Sequence, residues 1–99
     1  NAWIHLVATI LVIILAVWLE ISLYGWIGLL LVIGIVWISE FLNTALEVIV
    51  DLASPERHPL AKVGKDVGAA AVLISASIAV IIGLLILGPP LLKKIAILF

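Results

Sequence analysis

Long apolar runs are the feature that most restricts what this chain can fold into. Residues 2–19 are apolar except for His5 and Thr9, and a second run extends from Trp26 to Ile38 before a third follows a central loop. Helices that cross a hydrocarbon core of about 30 Å need roughly 17–25 such residues. Only 11% of the residues are charged, against roughly 25% in soluble domains. The sequence therefore predicts an all-α membrane protein with three transmembrane helices.

The second predicted helix is longer than a membrane is thick. It spans residues 24–52, after a short turn that contains Glu20 and Ser22, and it has no internal proline. At ~1.5 Å per residue it is about 43 Å long, so its last turns are expected to emerge among the lipid headgroups.

The third helix follows a loop, ASPERHPLAK at residues 53–62, that contains two proline turn signals. We predict that it begins within residues 61–65 and ends at Leu87, because Gly88-Pro89-Pro90 interrupts it. Its small residues at 68–71 predict a close approach to a neighbouring helix.

The distribution of basic residues predicts that this loop faces the cytoplasm. Arg57, Lys62 and Lys65 lie in or near it, whereas the opposite side has only Lys93 and Lys94. Cytoplasmic loops of membrane proteins carry the excess of lysine and arginine.

Composition excludes several classes of function. The formal net charge is −1, and nucleic-acid binding needs a basic surplus to neutralise phosphates. There is no cysteine, so disulfides and thiolate metal sites are excluded. No phosphate-loop motif, His/Cys zinc pattern or Ser/His/Asp set for acyl transfer occurs in the sequence.

A polar stripe at the end of the second helix is the strongest functional signal. At ~100° per residue, Glu40, Asn43, Glu47 and Asp51 lie at about 0°, −60°, −20° and +20°, on one side of the helix. A carboxylate at bilayer depth costs roughly 2.5–3.5 kcal/mol. Because Glu40 lies well inside its predicted span, pairing, a metal ion or a wet cavity must offset this cost.

Lys65 and Asp66 open the third helix and are expected to face the stripe. The excess of carboxylates favours a cation, and Mg²⁺ is held by one or two carboxylates while phosphates complete its coordination. A lysine beside it would balance phosphate charge. The pattern therefore predicts a magnesium and phosphate site at this membrane face.

Each of these residues also has a purely structural interpretation. Glu47 and Asp51 suit a solvated helix end, Lys65 and Asp66 an intrahelical salt bridge, and Asn43 a hydrogen bond between helices. His5 is interpreted as an interfacial residue and Glu20 as an ordinary turn residue. The shared stripe favours the functional interpretation, and burial makes Glu40 the hardest residue to explain otherwise.

The run EFLNTALEVIVD at residues 40–51, followed by HPLAKVGKD at 58–66, resembles the bacterial integral-membrane diacylglycerol kinase family. The second motif is more similar to the undecaprenol kinase branch. The resemblance covers essentially all of residues 1–99. It implies a single lipid kinase domain that uses Mg²⁺ and ATP, forms a homotrimer with active sites between protomers, and lies in the bacterial inner membrane with its site facing the cytoplasm.

The resemblance also implies a role for each motif residue. Glu40 matches the catalytic base that takes the proton of the lipid hydroxyl, and Asn43 matches the amide that supports it. Glu47 matches a metal-binding carboxylate. The remaining matches are the phosphate-contacting lysine with its network partner and two positions near the nucleotide: Lys65, Asp66, Asp51 and His58.

The family pattern departs from this sequence at the N-terminus. An N-terminal amphipathic helix and a metal-binding glutamate precede the position of Asn1 in the family, and residues 1–99 contain neither. The alternative is therefore a non-catalytic three-helix assembly module or an inactive truncated kinase. Undecaprenol is the preferred substrate and diacylglycerol the second, and no role is assigned to the tail LLKKIAILF.

Overall fold

A computed structural model describes residues 2–99 as three helices. They are α1 (Ala2–Leu19), α2 (Leu23–Ala53) and α3 (Pro59–Leu98). All three are long and apolar enough to cross a membrane, and the molecule measures 59 × 23 × 17 Å. The predictions of an all-α membrane protein and of three transmembrane helices are therefore confirmed.

The turn between α1 and α2 closes with a Schellman motif. The backbone N–H of Glu20 donates to the Val17 carbonyl at 3.2 Å, and the N–H of Ile21 donates to the Ala16 carbonyl at 3.4 Å. Glu20 has a φ of 53°, a left-handed conformation that glycine usually supplies at this position. Ser22 then caps α2 by accepting the Gly25 N–H at 3.2 Å.

The loop between α2 and α3 is shorter than predicted, because α3 already begins at Pro59. His58 is its N-cap, and the Nδ1 atom accepts the Leu60 N–H at 3.1 Å. Proline is well suited to the first helical position, where its missing N–H removes no helical hydrogen bond. Pro59 therefore starts the helix where the sequence analysis placed a turn.

The prediction that α3 ends at Leu87 is wrong, because the helix continues through Pro89 and Pro90 to Leu98. Each proline removes one backbone hydrogen bond. Beyond the prolines, the side chain of Lys94 donates to the Trp18 carbonyl and so joins the last turns of α3 to the end of α1. An open cavity of about 530 Å³ adjoins the two prolines and the α1–α2 turn.

Helix α2 packs mainly against α3, in antiparallel orientation, and small residues set how closely they approach. A Cβ atom at Gly68 would overlap the side-chain oxygen of Asn43 and lie 2.9 Å from Leu46 Cδ2. The hydroxyl groups of Ser39 and Ser75 hydrogen-bond across the helices at 2.8 Å. The predicted close approach of α3 is therefore found at Gly68.

The opposite end of the bundle holds the apolar core, formed by Ala16, Leu19, Leu29 and Leu87. Beside it, the final turns of α3 contact the end of α1. Lys94 Nζ donates to the Trp18 carbonyl at 2.7 Å and lies 4.5 Å from the centre of the indole ring. The tail therefore has a structural role, which the sequence analysis could not assign.

Candidate functional site

Glu40 is buried near the end of the bundle where α1 begins. Its exposed fraction is 7%, and no other charged residue within the described residues 2–99 is buried. One carboxylate oxygen, Oε2, lies 3.3 Å from Nε2 of His5 on α1. The sequence analysis treated His5 as an interfacial residue, and the structure instead places it against Glu40.

A short hydrogen-bond chain holds His5 in this position. Trp37 Nε1 donates to the Thr9 hydroxyl at 2.9 Å, and that hydroxyl donates to the His5 carbonyl at 2.6 Å. The imidazole and indole rings also meet edge to face, with their centres 6.1 Å apart. The start of α1 is therefore fixed to α2 at the level of Glu40.

Asn43 lies about one turn beyond Glu40 on α2. Its side-chain oxygen Oδ1 is buried and has no hydrogen-bond partner within residues 2–99. Gly68 of α3 provides the space for this amide, as described above. Buried polar atoms are nearly always hydrogen-bonded in folded proteins, so this oxygen is an exception that the close packing against Gly68 maintains.

Two ion pairs lie at the loop end of α2 and α3. Lys65 pairs across the helices with Asp51, and Lys62 Nζ lies 2.9 Å from Asp66 Oδ2 on its own helix. Glu47 interacts electrostatically with Lys65 as well. Lys65 therefore faces the α2 stripe as expected, whereas the intrahelical partner of Asp66 is Lys62 rather than Lys65.

These ion pairs border a cavity of about 450 Å³ between the loop and the ends of the two helices. Its lining includes three basic side chains, which are the kind that contacts anionic ligands, together with two carboxylates. The charged and imidazole groups among the lining residues are Asp51, Glu56, Arg57, His58, Lys62 and Lys65.

Whether these residues could hold a magnesium ion depends on the oxygen ligands that a bound molecule would supply. No group of three His, Cys, Asp or Glu side chains within residues 2–99 is arranged to hold a metal ion. Glu47 is exposed and close enough to interact electrostatically with Lys65. Because Mg²⁺ is commonly bound by one or two carboxylates plus phosphate oxygens, the residues fit an ion that arrives with a nucleotide.

The predicted site residues thus fall into two groups along α2. Glu40 is buried with His5, whereas Asp51 and Lys65 meet at the loop end. Asp51 is eleven positions beyond Glu40, which is about 16 Å along a helix. Asn43 and Glu47 lie between them on the same stripe. The arrangement therefore combines a buried carboxylate with a more exposed ionic cluster at the loop end.

His5 is the residue that sequence reasoning missed. The sequence held a signal for it: His5 and Thr9 are the polar residues of an otherwise apolar helix, and they are four positions apart. Residues at that spacing lie on one face of a helix. The sequence alone does not show how α1 is rotated about its axis, and this rotation turns the face with His5 toward Glu40.

Comparison with known proteins adds independent information. A model of the family described as prokaryotic diacylglycerol kinase matches residues 1–87. An undecaprenol kinase of Bacillus subtilis strain 168 is 44% identical over 91 residues, which cover 92% of this chain and 74% of that protein.

Two relatives named diacylglycerol kinase are also similar. The protein of Escherichia coli K12 is 40% identical over 75 residues, which cover 76% of this chain and 62% of that protein. The protein of Synechocystis sp. PCC 6803 is 44% identical over 94 residues, which cover 94% of this chain and 54% of that protein. The chain thus spans less than two thirds of these two relatives.

Proposed function

Because the chain belongs to the prokaryotic diacylglycerol kinase family, a family of lipid kinases, we propose that it phosphorylates the hydroxyl group of a membrane lipid alcohol. ATP is the phosphoryl donor in this reaction. Undecaprenol is the proposed substrate, supported by the similarity to the Bacillus subtilis undecaprenol kinase over 92% of this chain. Diacylglycerol is the second candidate, supported by the other relatives.

The observation that carries this proposal is the buried carboxylate of Glu40. Phosphoryl transfer depends mainly on positioning and charge stabilisation, with a base placed near the attacking hydroxyl. Glu40 takes the hydroxyl proton of the lipid as the oxygen attacks the γ-phosphorus. Asn43 lies about one turn beyond Glu40 on the same stripe, and its amide supports this base.

The ionic cluster at the loop end is the proposed nucleotide site. Lys65 exchanges part of its contact with Asp51 for phosphate oxygens, and His58 lies at the rim of the same cavity. Asp66 holds Lys62 beside them. Glu47 together with nucleotide phosphates would hold Mg²⁺, which when bound neutralises charge on the transferred phosphoryl group.

The proposed assembly is a homotrimer in the bacterial inner membrane, with the site facing the cytoplasm. The separation of about 16 Å between Glu40 and Asp51 along one helix is consistent with a site that a neighbouring protomer completes. The larger share of basic residues near the loop supports the orientation: Arg57, Lys62 and Lys65 against Lys93 and Lys94.

Phosphorylation of each lipid in detergent–lipid micelles with Mg²⁺ and ATP tests this function. Glu40→Gln keeps the side-chain shape but removes the base, so kcat should fall about 10²- to 10⁴-fold. Glu47→Gln should raise the magnesium concentration needed for activity. Glu20→Gln, which alters a carboxylate at the opposite end, is the matched control and should retain activity.

The non-catalytic assembly module makes the opposite prediction. It expects no phosphorylation of either lipid, while Glu40→Gln and Glu47→Gln weaken self-association measured by crosslinking. Full kinase activity in both variants would contradict the residue roles proposed here.

A further inference from the structure

Helices α2 and α3 begin with caps of different chemistry. The cap of α2 is the hydroxyl oxygen of Ser22, which accepts the Gly25 N–H and does not titrate at physiological pH. The cap of α3 is Nδ1 of His58, to which the Leu60 N–H donates at 3.1 Å. Most caps are serine, threonine, aspartate or asparagine, whereas histidine ordinarily changes its charge between pH 5 and 8. The acceptor that begins α3 is thus an atom that a proton can occupy.

His58 holds the first turn of α3 at two points. The first N–H groups of a helix have no partner within that helix. Pro59 has no N–H to satisfy, so the Leu60 N–H is the first donor of α3, and it bonds to the His58 ring. The Lys62 N–H donates to the His58 carbonyl at 3.1 Å. Of these two bonds, the one to the ring requires that Nδ1 carry no proton.

Protonation of the His58 ring would also change the charge around the first turn. The N-terminus of a helix carries a partial positive charge and favours anions, so a protonated ring there is unfavourable for the helix. It would add a fourth positive charge to the lining of the loop-end cavity, which has three basic and two acidic side chains. Loss of the acceptor and gain of the charge therefore act in the same direction. The charged side chains of this lining are Asp51 of α2, Glu56 and Arg57 of the loop, and Lys62 and Lys65 of α3.

We propose that His58 is a pH-sensitive cap: a proton on Nδ1 releases the Leu60 N–H, and the first turn of α3 loosens. The proton comes from solvent, to which His58 is exposed. Lys62 lies in this turn and Lys65 in the next, and both line the loop-end cavity. Acidification therefore frees the basic side chains of that cavity from their helical positions. The cap works in this way whether or not the chain is a kinase.

An NMR titration tests the protonation state of the ring. The chain has two histidines, so ¹⁵N-histidine labelling of the full chain in micelles gives two imidazoles, and the one absent from His58→Asn is His58. At about pH 8, above the usual titration range of histidine, Nε2 of His58 should carry the proton and Nδ1 should carry none. A proton on Nδ1 at this pH would overturn the cap. Failure of the ring to gain a second proton down to about pH 5 would overturn its sensitivity to pH.

Amide hydrogen exchange, corrected for the intrinsic effect of pH on the exchange rate, measures the first turn itself. In the unaltered chain, protection of the Leu60 amide should fall about fivefold when the NMR spectrum shows His58 protonated, which is the ratio expected for the loss of one cap. His58→Asn supplies a preferred cap that does not titrate, so its protection should stay constant over the same pH range. His58→Ala has no side-chain acceptor and should show low protection at both pH values.

The Gly25 amide is the internal control, because the Ser22 hydroxyl caps it and should protect it equally at both pH values. Constant Leu60 protection in the unaltered chain would contradict the proposal. So would an equal fall in His58→Asn, since other titrating groups would then cause the change. Equal protection of His58→Ala and the unaltered chain at the higher pH would show that the ring does not cap α3. None of these measurements uses kinase activity, so they decide the role of the cap separately from the proposed function.

Discussion

The two ends of the helical bundle differ in how their polar groups are hydrogen-bonded and paired. At the turn end, Lys94 satisfies the Trp18 carbonyl and the Schellman motif at Glu20 satisfies further carbonyls of α1. At the loop end, Asn43 Oδ1 has no partner within residues 2–99, and the ion pair of Lys65 with Asp51 is partly exposed. Polar groups at the turn end are hydrogen-bonded within the protein, whereas the loop end leaves one buried acceptor without a donor and one ion pair partly exposed.

The largest expected effect comes from disturbing the close approach of α2 and α3 at the loop end. Gly68→Ala would place a Cβ atom against Asn43 and Leu46, and such overpacking costs about 1–3 kcal/mol. Gly83→Ala is the matched control on the same helix, because no atom lies within 4 Å of its Cβ position. Because alanine favours the helix by about 1 kcal/mol over glycine, this control substitution should stabilise α3.

The unfolding midpoint in an SDS titration, followed by far-UV circular dichroism, measures both substitutions. We expect Gly68→Ala to unfold at lower SDS and to lose kinase activity, and Gly83→Ala to unfold at equal or higher SDS with activity retained. Equal stability of the two variants would show that the packing at Asn43 is not tight.

A smaller effect is expected from Lys94 at the turn end. Lys94→Ala removes a charged hydrogen-bond donor from the end of α1 and a cation–π contact with Trp18. The expected loss is about 1–2 kcal/mol of unfolding free energy, with kinase activity unchanged below the transition. The same titration measures it.

Lys93→Ala is the control for this substitution, since Lys93 is exposed and should contribute within about 0.5 kcal/mol. If Lys94→Ala lowered kcat without lowering stability, the division of roles between the two ends would be wrong.

The smallest effect is expected at Glu20, and its direction is stabilising. Its φ of 53° is costly for a residue with a Cβ atom, so Glu20→Gly should raise the unfolding free energy by about 0.5–1 kcal/mol. Glu20→Ala keeps a Cβ atom and should give no such gain. A gain of equal size in both would attribute the effect to the lost charge instead of the backbone.

The sequence predicted most of the fold because apolar length and polar turn signals are local properties. The first helix was predicted at residues 2–19 and found at Ala2–Leu19. The family resemblance and the lipid kinase class are confirmed by the comparisons. The prediction failed at Pro89-Pro90, because proline removes local hydrogen bonds whereas the contact of Lys94 with the end of α1, which joins residues distant in sequence, lies beyond the prolines.

The candidate site was only partly predictable. Helical periodicity placed Glu40, Asn43, Glu47 and Asp51 on one stripe, since that needs only the pitch of one helix. The roles of these residues and of Lys65, Asp66 and His58 remain predictions, of which the proposed assays test those of Glu40 and Glu47. The place of His5 was missed, because a contact between two helices depends on their relative rotation.

The sequence by itself determined that this chain crosses a membrane three times, carries an acidic stripe at one face and belongs with the lipid kinases. The first two features depend on composition and on spacing within single segments, and the third on the resemblance of two motifs to a known family. Tertiary structure alone decided that His5 meets Glu40, that Asp51 pairs with Lys65, and that Lys94 caps α1. Such pairs join residues distant in sequence, and only the packing of one helix on another brings their side chains within a few ångströms.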